Sequence, residues 1–135
     1  MIHPDTELKF VSDEIGYGLF ATRRIPRGTI TWVRDDFDMA FTHAEVERMS
    51  PTYRAIVDKY TFIDARGLYL LCWDLARFVN HACDATCLSA GYDFEIAVRD
   101  IEAGEQITDD YGTLNLQHEF AIARADVEGS QKTDC

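Results

Sequence analysis

The chain has neither a long apolar run nor the features of a secretion signal. No stretch of about eighteen consecutive apolar residues occurs, so a membrane-spanning helix is not expected. The opening residues, MIHPDTELK, lack the basic segment and the apolar segment of a signal peptide. These absences predict a soluble protein of the cytoplasm that does not associate with membranes.

Basic residues are scarce relative to acidic ones. The sequence has 13 Lys and Arg against 24 Asp and Glu, which gives a formal net charge of -11. Contacts to nucleic-acid phosphates need clustered Lys and Arg, and the only such cluster is Arg23, Arg24 and Arg27. Direct nucleic-acid binding is therefore not expected, and the charge favours a basic protein partner. The alternative is that an acidic surface only keeps the protein soluble.

Cysteine is also rare, with four residues in the chain. Cys72 lies in an apolar, strand-like run and Cys135 is the last residue, so the set does not resemble the disulfide framework of a small secreted domain. This pattern is typical of a reducing compartment and agrees with a cytoplasmic location. A chain of 135 residues is long enough to fold as a single domain without such bridges.

Two glycines near the N-terminus have the spacing of a dinucleotide-binding fingerprint but lack its context. Gly16, Gly18 and Ala21 form G-x-G-x-x-A. The fingerprint requires a long helix directly afterwards, and Pro26 and Gly28 interrupt that segment, where they would cost about 3 and 1 kcal/mol. An NAD-binding site is therefore excluded. The two glycines form a bulge or turn, or they allow the main chain to lie close to a ligand.

Short β-rich runs alternate with turns along most of the chain. A helical insert is predicted after a capping box of Thr42 and Glu45, with a second helix from Ser50-Pro51 to about Asp58. Asp74 predicts the cap of a short helix, LARFV, and another helix is predicted after Asn115. No alternation of strands with helices indicates a parallel sheet, so the expected fold class is mainly β with short helices. The predicted strands are GLFATRRI (18–25), TITWV (29–33), YTFID (60–64), LYLLC (68–72), FEIAVRDI (94–101) and EQITDDYG (105–112).

Three separated segments carry a more specific pattern. They are GYGLFA (16–21), RFVNHAC (77–83) and GEQITDDYG (104–112). Their order and spacing resemble the SET-domain protein lysine methyltransferases, most closely the small single-domain bacterial members. The resemblance covers about residues 8–115 of a single predicted domain, 1–135. It leaves 116–135 as a C-terminal lid or helix followed by a frayed tail.

The resemblance implies a SET-domain fold of several small β-sheets with a C-terminal pseudoknot. It also implies a pocket for S-adenosylmethionine where the first two segments meet. The amino-acid part and the ribose of the cofactor would lie against the glycine backbone, and an aromatic side chain of the C-terminal segment would cover the adenine. The implied cofactor-binding residues are Gly16, Tyr17, Gly18, Asn80, His81 and Phe120, with Leu116 as the alternative to Phe120.

The third segment implies the reacting group. Tyr111 would point its hydroxyl into a narrow channel through which a lysine reaches the methyl group. A phenol with a pKa near 10 is a poor base at neutral pH, so Tyr111 is predicted to orient the amine and to polarise the methyl group. Trp32 and Tyr92 are the expected aromatic residues of this substrate channel. The alternatives are a core position for Trp32 and Phe94 in place of Tyr92.

The cysteines depart from the pattern of many SET domains. Those members hold zinc with one cysteine after the N-H pair and three in a C-terminal segment, whereas here only Cys135 follows Tyr111. Four thiolates cannot come from one subunit, so no metal site is expected. The helix predicted after Asn115 would then replace the zinc-held lid.

The sequence therefore predicts a protein-lysine N-methyltransferase that acts on a basic, lysine-bearing protein or peptide with a histone-like character. In-line methyl transfer needs a neutral ε-amine, and deprotonating a lysine of pKa about 10.4 at pH 7 costs about 4.6 kcal/mol. An apolar channel beside a positive sulfonium would lower that pKa. The alternative is a degenerate SET domain that binds cofactor or peptide without turnover.

Overall fold

The computed structural model describes residues 1–89 and 91–111. Within that part of the chain there are ten β-strands, two α-helices and one 3-10 helix, so the mainly β class is confirmed. The strands are β1 (Thr6–Ser12), β2 (Gly16–Ala21), β3 (Ile30–Val33), β4 (Met39–Phe41), β5 (Thr61–Ile63), β6 (Tyr69–Leu71), β7 (Asn80–His81), β8 (Cys87–Ser89), β9 (Phe94–Ala97) and β10 (Gln106–Asp109). The helices are α1 (His43–Glu47), α2 (Pro51–Tyr60) and the 3-10 helix Leu75–Phe78.

The larger sheet has the strand order β1-β2-β10-β8-β9-β3, and β7 also pairs with β10. Strand β10, the last in the described chain, thus lies between strands that precede it. Its first half pairs antiparallel with β2, where Ile107 is opposite Leu19. Its second half pairs parallel with β7, where Thr108 is opposite Asn80. This insertion of a late strand among earlier ones is the arrangement expected of the predicted pseudoknot.

The smaller sheet has the order β4-β6-β5, and the helices pack on it. The predicted capping box is present: the Thr42 hydroxyl accepts the Glu45 N–H at 3.2 Å, and the Glu45 carboxylate accepts the Thr42 N–H at 2.8 Å. Pro51 is the first residue of α2, where its missing N–H costs nothing. The side chains buried between the helices and this sheet are Val46, Val57, Ile63 and Tyr69.

Two further hydrophobic clusters complete the core, one in the larger sheet and one between the two sheets. Each fully buried Leu or Ile stabilises the fold by about 1.5–3 kcal/mol relative to exposure. The main cluster consists of Leu19, Ala21, Ile25, Cys87, Ala97, Ile101 and Ile107, and the other of Trp32, Leu70 and Cys72.

In the described ranges no strand-helix-strand unit joins parallel neighbours, so the exclusion of a doubly wound nucleotide-binding fold is confirmed. The same ranges contain no helix with the length and apolarity needed to cross a membrane.

Strand β9 turns an acid toward the core and its largest apolar residue toward solvent. Phe94 is exposed and Ile96 is half-buried, whereas Glu95 and Ala97 face the core. Within β9, the large apolar residues of FEIAVRDI therefore lie on the solvent side, while Ile101 beyond the strand is buried. The strand also ends at Ala97, before the predicted end at Ile101.

Strands β9 and β10 each bury a carboxyl group, Glu95 and Asp109, with exposed fractions of 4% and 3%. The Thr31 hydroxyl donates to Glu95 Oε1 at 2.5 Å, and the Ser89 N–H donates to Asp109 Oδ1 at 3.3 Å. Burial, and next the charge of Asp109, raise the pKa of Glu95 to about 8. Burial also raises the pKa of Asp109. Because two neighbouring buried carboxylates do not both ionise readily, each group makes ionisation of the other less favourable.

Replacing Glu95 by Gln should make the fold more stable in alkaline solution. The folded-state pKa lies above the ordinary value of 4.5, so the stability that the protonated side chain contributes is complete below that value and is lost as the pH rises toward about 8. The Glu95→Gln side chain stays neutral. Urea unfolding at about pH 9 should therefore give it a free energy of unfolding at least about 1 kcal/mol above that of the wild type. At about pH 5 the two proteins should be nearly equal.

The matched control is Glu14→Gln, which removes the same charge from an exposed position. This variant reports the general relief of acidic repulsion. If the Glu95→Gln and Glu14→Gln variants gained the same stability at every pH, the raised pKa of the buried Glu95 would be contradicted.

Candidate active site

The three sequence segments meet along strand β10. The glycine segment forms β2, the N-H pair forms β7, and both strands pair with β10. Tyr111 follows two residues after the end of β10. The register that places Asp109 opposite His81 therefore brings Tyr111 to the N-H pair, although about thirty residues separate them in the chain.

The Asn80 side chain joins the glycine segment to β10. Its Nδ2 group donates to the Tyr17 carbonyl at 3.0 Å and to Gln106 Oε1 at 2.9 Å. A planar amide with both N–H groups committed is held in one orientation, and among the described residues its Oδ1 atom remains available as an acceptor. Gln106 was not among the predicted site residues, because a glutamine in a β-rich segment carries no signal of its partner.

Gly16 and Gly18 lack side chains for different reasons. Gly16 has a φ of +82°, which favours glycine, and it lies where the pairing of β1 with β2 shifts register. Open space lies where its Cβ would be. At Gly18 a Cβ would come within 2.5 Å of Gln106 Oε1 and 2.8 Å of Asn80 Nδ2. The bulge explanation thus holds for Gly16, and the close approach at Gly18 is made by side chains of the protein itself.

Aromatic rings line the surface beside the glycine segment. The Tyr17 side chain is 51% exposed, and its ring lies edge to face with those of Phe10 and Phe78, at centroid distances of 5.7 and 6.5 Å. Phe78 in turn contacts Tyr60 at 5.6 Å. An exposed aromatic face next to a hydrogen-bonding amide suits a ligand with both an apolar and a polar part.

His81 supports Tyr111 through a backbone hydrogen bond. The Tyr111 N–H donates to His81 Nδ1 at 3.1 Å, and the two rings lie 5.3 Å apart. In a neutral imidazole that accepts at Nδ1, the proton resides on Nε2. The Asp110 carboxylate lies 3.8 Å from the same Nδ1 atom. His81 thus fixes the start of the segment that carries the phenol.

The Tyr111 hydroxyl donates to the Val79 carbonyl. Burial, and then the charges of Asp109 and Glu95, raise the pKa of the phenol above its ordinary value of 10. The hydroxyl is therefore protonated throughout the neutral range. It can donate a hydrogen bond and accept one, but it cannot take a proton from an amine.

The predicted channel residues lie in different surroundings. Trp32 is only 4% exposed, packs with Leu70 and Cys72 and meets Phe62 edge to face at 6.0 Å. This placement agrees with the alternative core position for Trp32, and its part in a channel stays a prediction. Tyr92 is 63% exposed. Its part in a channel stays a prediction.

Two predictions about the C-terminal segment lie outside the described residues. These are the cofactor contact of Phe120 or Leu116 and the replacement of a zinc-held lid by a helix. Across residues 1–89 and 91–111, no group of three or more His, Cys, Asp or Glu side chains is arranged to hold a metal ion. Burial raises the pKa of the Cys87 thiol to about 12, so this thiol is protonated in the neutral range. The expected absence of zinc stays a prediction because Cys135 is not described.

Comparison with solved structures supports the fold. The chain is similar to a chain in the structure of a humanised mutant of the Chaetomium thermophilum Polycomb Repressive Complex 2 bound to an inhibitor, with a TM-score of 0.57 and 23% sequence identity. The similarity covers 79% of this chain but 15% of that one. No curated protein matches the sequence.

The comparison with protein families is more direct. The family model described as the SET domain matches residues 16–112, a range that contains all three segments and strands β2 to β10. The resemblance noted in the sequence is therefore confirmed over most of the chain. On this evidence the protein belongs to the SET-domain family.

Proposed function

We propose that the protein is an S-adenosylmethionine-dependent protein-lysine N-methyltransferase. The observation that carries the proposal is the double hydrogen bond of Asn80, which ties the Tyr17 carbonyl of β2 to Gln106 of β10, the strand that Tyr111 follows. Asn80 precedes His81, which accepts the Tyr111 N–H, and this arrangement supports a cofactor site next to a methyl-acceptor site.

The residues at the glycine segment fit S-adenosylmethionine. Open space lies beside Gly16, where the positive φ keeps the backbone bare. The Asn80 Oδ1 atom is an acceptor suited to the cofactor's ammonium, and the Tyr17 ring offers an apolar face to its adenosine part. When bound, the cofactor supplies a methyl group activated on a positive sulfur.

Tyr111 would hold the acceptor amine in line with that methyl group. Because its hydroxyl donates to the Val79 carbonyl, the phenol oxygen is turned so that its lone pairs remain available to an amine N–H. The orientation of a neutral amine in a confined site removes several kcal/mol of entropic barrier. Its burial keeps the phenol neutral, so the proton of the incoming ammonium must go elsewhere.

The proposed substrate is a lysine-bearing, basic segment of another protein, of histone-like character. The net charge of -11 supports this, since opposite charge speeds the encounter with a cationic partner. The same charge disfavours direct contact with nucleic acid. A cytoplasmic location and the absence of a membrane association are part of this proposal.

Calorimetry with S-adenosylmethionine should detect binding by the wild type, and Tyr17→Ala should weaken it at least about tenfold, since an aromatic face under a base contributes roughly 1–3 kcal/mol. Tyr53→Ala is the matched control, because Tyr53 is likewise an exposed tyrosine, on α2. Absence of binding to the wild type would contradict the proposed cofactor. An equal loss in both variants would contradict the proposed place of the adenosine.

Tyr111→Phe should lower methyl transfer from labelled S-adenosylmethionine to core histones on the order of a hundredfold, by loss of an orienting hydroxyl in a confined site. Tyr53→Phe, which removes an exposed hydroxyl, should leave the rate unchanged. Cofactor binding should be retained in both variants.

The results distinguish an active lysine methyltransferase from a SET domain that binds without turnover. If the wild type binds the cofactor but labels neither core histones nor any protein of a cell extract, the chain is a binding module without turnover. If Tyr111→Phe labels histones as fast as the wild type, the role of Tyr111 is wrong.

A further inference from the structure

The larger sheet carries a patch of apolar side chains on its outward face. Ile30 of β3 and Leu88 of β8 both lie opposite Ile96 of β9. Val33 of β3 lies opposite Phe94 of β9. Residues directly opposite each other on antiparallel strands share one face of a sheet. Three strands therefore contribute to this patch, which we call the apolar face and define as Ile30, Val33, Leu88, Phe94 and Ile96.

Most of the apolar face is open to solvent. Its members other than the half-buried Ile96 have exposed fractions between 37% and 51%. The pairing of β3 with β9 shifts register after Ile30, so Thr31 and Trp32 are buried while Ile30 and Val33 both point outward. Single exposed apolar residues are ordinary, whereas contiguous apolar patches on a protein surface mark interaction sites.

An acidic cavity adjoins one end of the apolar face. In the chain Arg34 follows Val33 and Asp93 precedes Phe94, and the Arg34 N–H donates to the Asp93 carbonyl at 2.9 Å. The cavity has a volume of about 380 Å³, within the range of ligand pockets. One guanidinium and four carboxylates line it, those of Arg34, Asp35, Asp36, Asp38 and Asp93.

The basic groups near the cavity neutralise part of its charge. Arg34 and Arg66 lie 3.5 and 2.5 Å from the Asp93 carboxylate, and Arg66 is shared with a second carboxylate. The Met1 amino group lies 3.4 Å from the Asp35 carboxylate. Two of the four lining acids are therefore paired.

The other two acids keep their charge available. Asp36 and Asp38 take part in none of the ion pairs found in residues 1–89 and 91–111. The Asp38 carboxylate accepts the main-chain N–H groups of Asp35 and Trp73 at 3.0 and 3.2 Å, which fixes its position. Asp36 is exposed. The cavity thus offers negative charge to a cation that comes from outside.

Two exposed aromatic rings lie beside the cavity. Phe37 is between Asp36 and Asp38 in the chain, and its ring centroid is 5.5 Å from that of Trp73. The indole Nε1 of Trp73 donates to Asp35 Oδ2 at 2.9 Å, so this ring is held next to a lining carboxylate. A cation near a carboxylate and an aromatic face is stabilised by both, which suits the side chain of Arg or Lys.

We propose that the apolar face and the acidic cavity form one docking surface for a segment of a partner protein in which alternate apolar residues are followed directly by Arg or Lys. The inference goes beyond methyl transfer, because no step of that reaction uses this surface. In an extended segment alternate side chains point to the same side and repeat about every 7 Å. The apolar side chains then cover the apolar face, and the basic side chain enters the cavity.

Charge favours this partner over a second copy of the chain. Each copy has a formal net charge of -11, so two copies repel each other, whereas a basic segment is attracted. The charge of the cavity also sets the direction of binding, because the basic end of the segment is the end that suits it.

The test is the binding of matched peptides to the full chain without cofactor. The first peptide is labelled with fluorescein and has leucine alternating with serine over six residues, followed by two arginines. In the second peptide glutamates replace the arginines, and in the third serines replace the leucines. Fluorescence anisotropy gives the Kd of each at about 0.05 and 0.5 M NaCl. Sedimentation gives the oligomeric state of the protein.

Two variants alter the two parts of the surface. Phe94→Thr removes apolar area but keeps a residue that suits a strand, and Asp36→Asn removes one charge from the cavity. The control for the first is Ile56→Thr on α2, where the side chain is 43% exposed against 44% for Phe94. The control for the second is Asp13→Asn, at an exposed turn position. Unfolding in urea verifies that all four variants are folded.

We expect the arginine peptide to bind the wild type at least about tenfold more tightly than the glutamate and serine peptides. Phe94→Thr should weaken its binding at least about fivefold at both salt concentrations, because apolar contact is lost. Asp36→Asn should weaken it about threefold in low salt and less in high salt, since ions screen the cavity. Both controls should stay within about twofold of the wild type.

Three results would overturn the inference. The first is equal binding of the arginine and glutamate peptides, or no binding of either, by the wild type. The second is equal binding of the arginine peptide by Phe94→Thr and Ile56→Thr. The third is a dimer of the wild type that Phe94→Thr dissociates, because a second copy would then be the occupant. None of these results bears on the proposed methyl transfer, which is tested at Tyr17 and Tyr111.

Discussion

The insertion of β10 between β2 and the pair β7 and β8 is the constraint on which the rest of the site depends. Backbone pairing on both edges leaves this strand no freedom to slide, since a shift of one residue would exchange the two faces of the sheet. The position of Tyr111 relative to Asn80 and His81 is therefore set by main-chain hydrogen bonds. Side-chain hydrogen bonds, such as those of Asn80, stabilise an arrangement that the pairing of the strands already determines.

Local features of the fold follow from the sequence because neighbouring residues decide them. Thr42 and Glu45 make the capping box, Pro51 starts a helix, and Asp74 caps the 3-10 helix through the Ala76 N–H. The strand bounds are correct within a few residues where turns flank them. The family can also be identified from the sequence, because the three segments keep their order and spacing.

The partners of the site residues could not be predicted in the same way. Gln106 accepts from Asn80 only because β10 pairs with β2, and nothing in either segment encodes that pairing. Trp32 shows the same limit, because an aromatic residue in a β-rich run fits a channel or a core equally well until its packing against Leu70 is known. At Gly18 the expected close approach of another group explains the missing side chain, but the group that approaches is the Asn80 side chain of the protein itself.

In strand β9 the local hydrophobic pattern and the overall fold favour opposite registers. A slip of one residue would bury Phe94 and Ile96 and expose Glu95, which hydrophobicity alone would favour. The native alignment instead survives because β8 and β3 pair with β9 on both sides and Thr31 bonds the inward acid. In energy-landscape terms the strand is locally frustrated. Such conflicts are typical of functional or strained sites, so β9 holds its register through its neighbours and not through its own hydrophobic pattern.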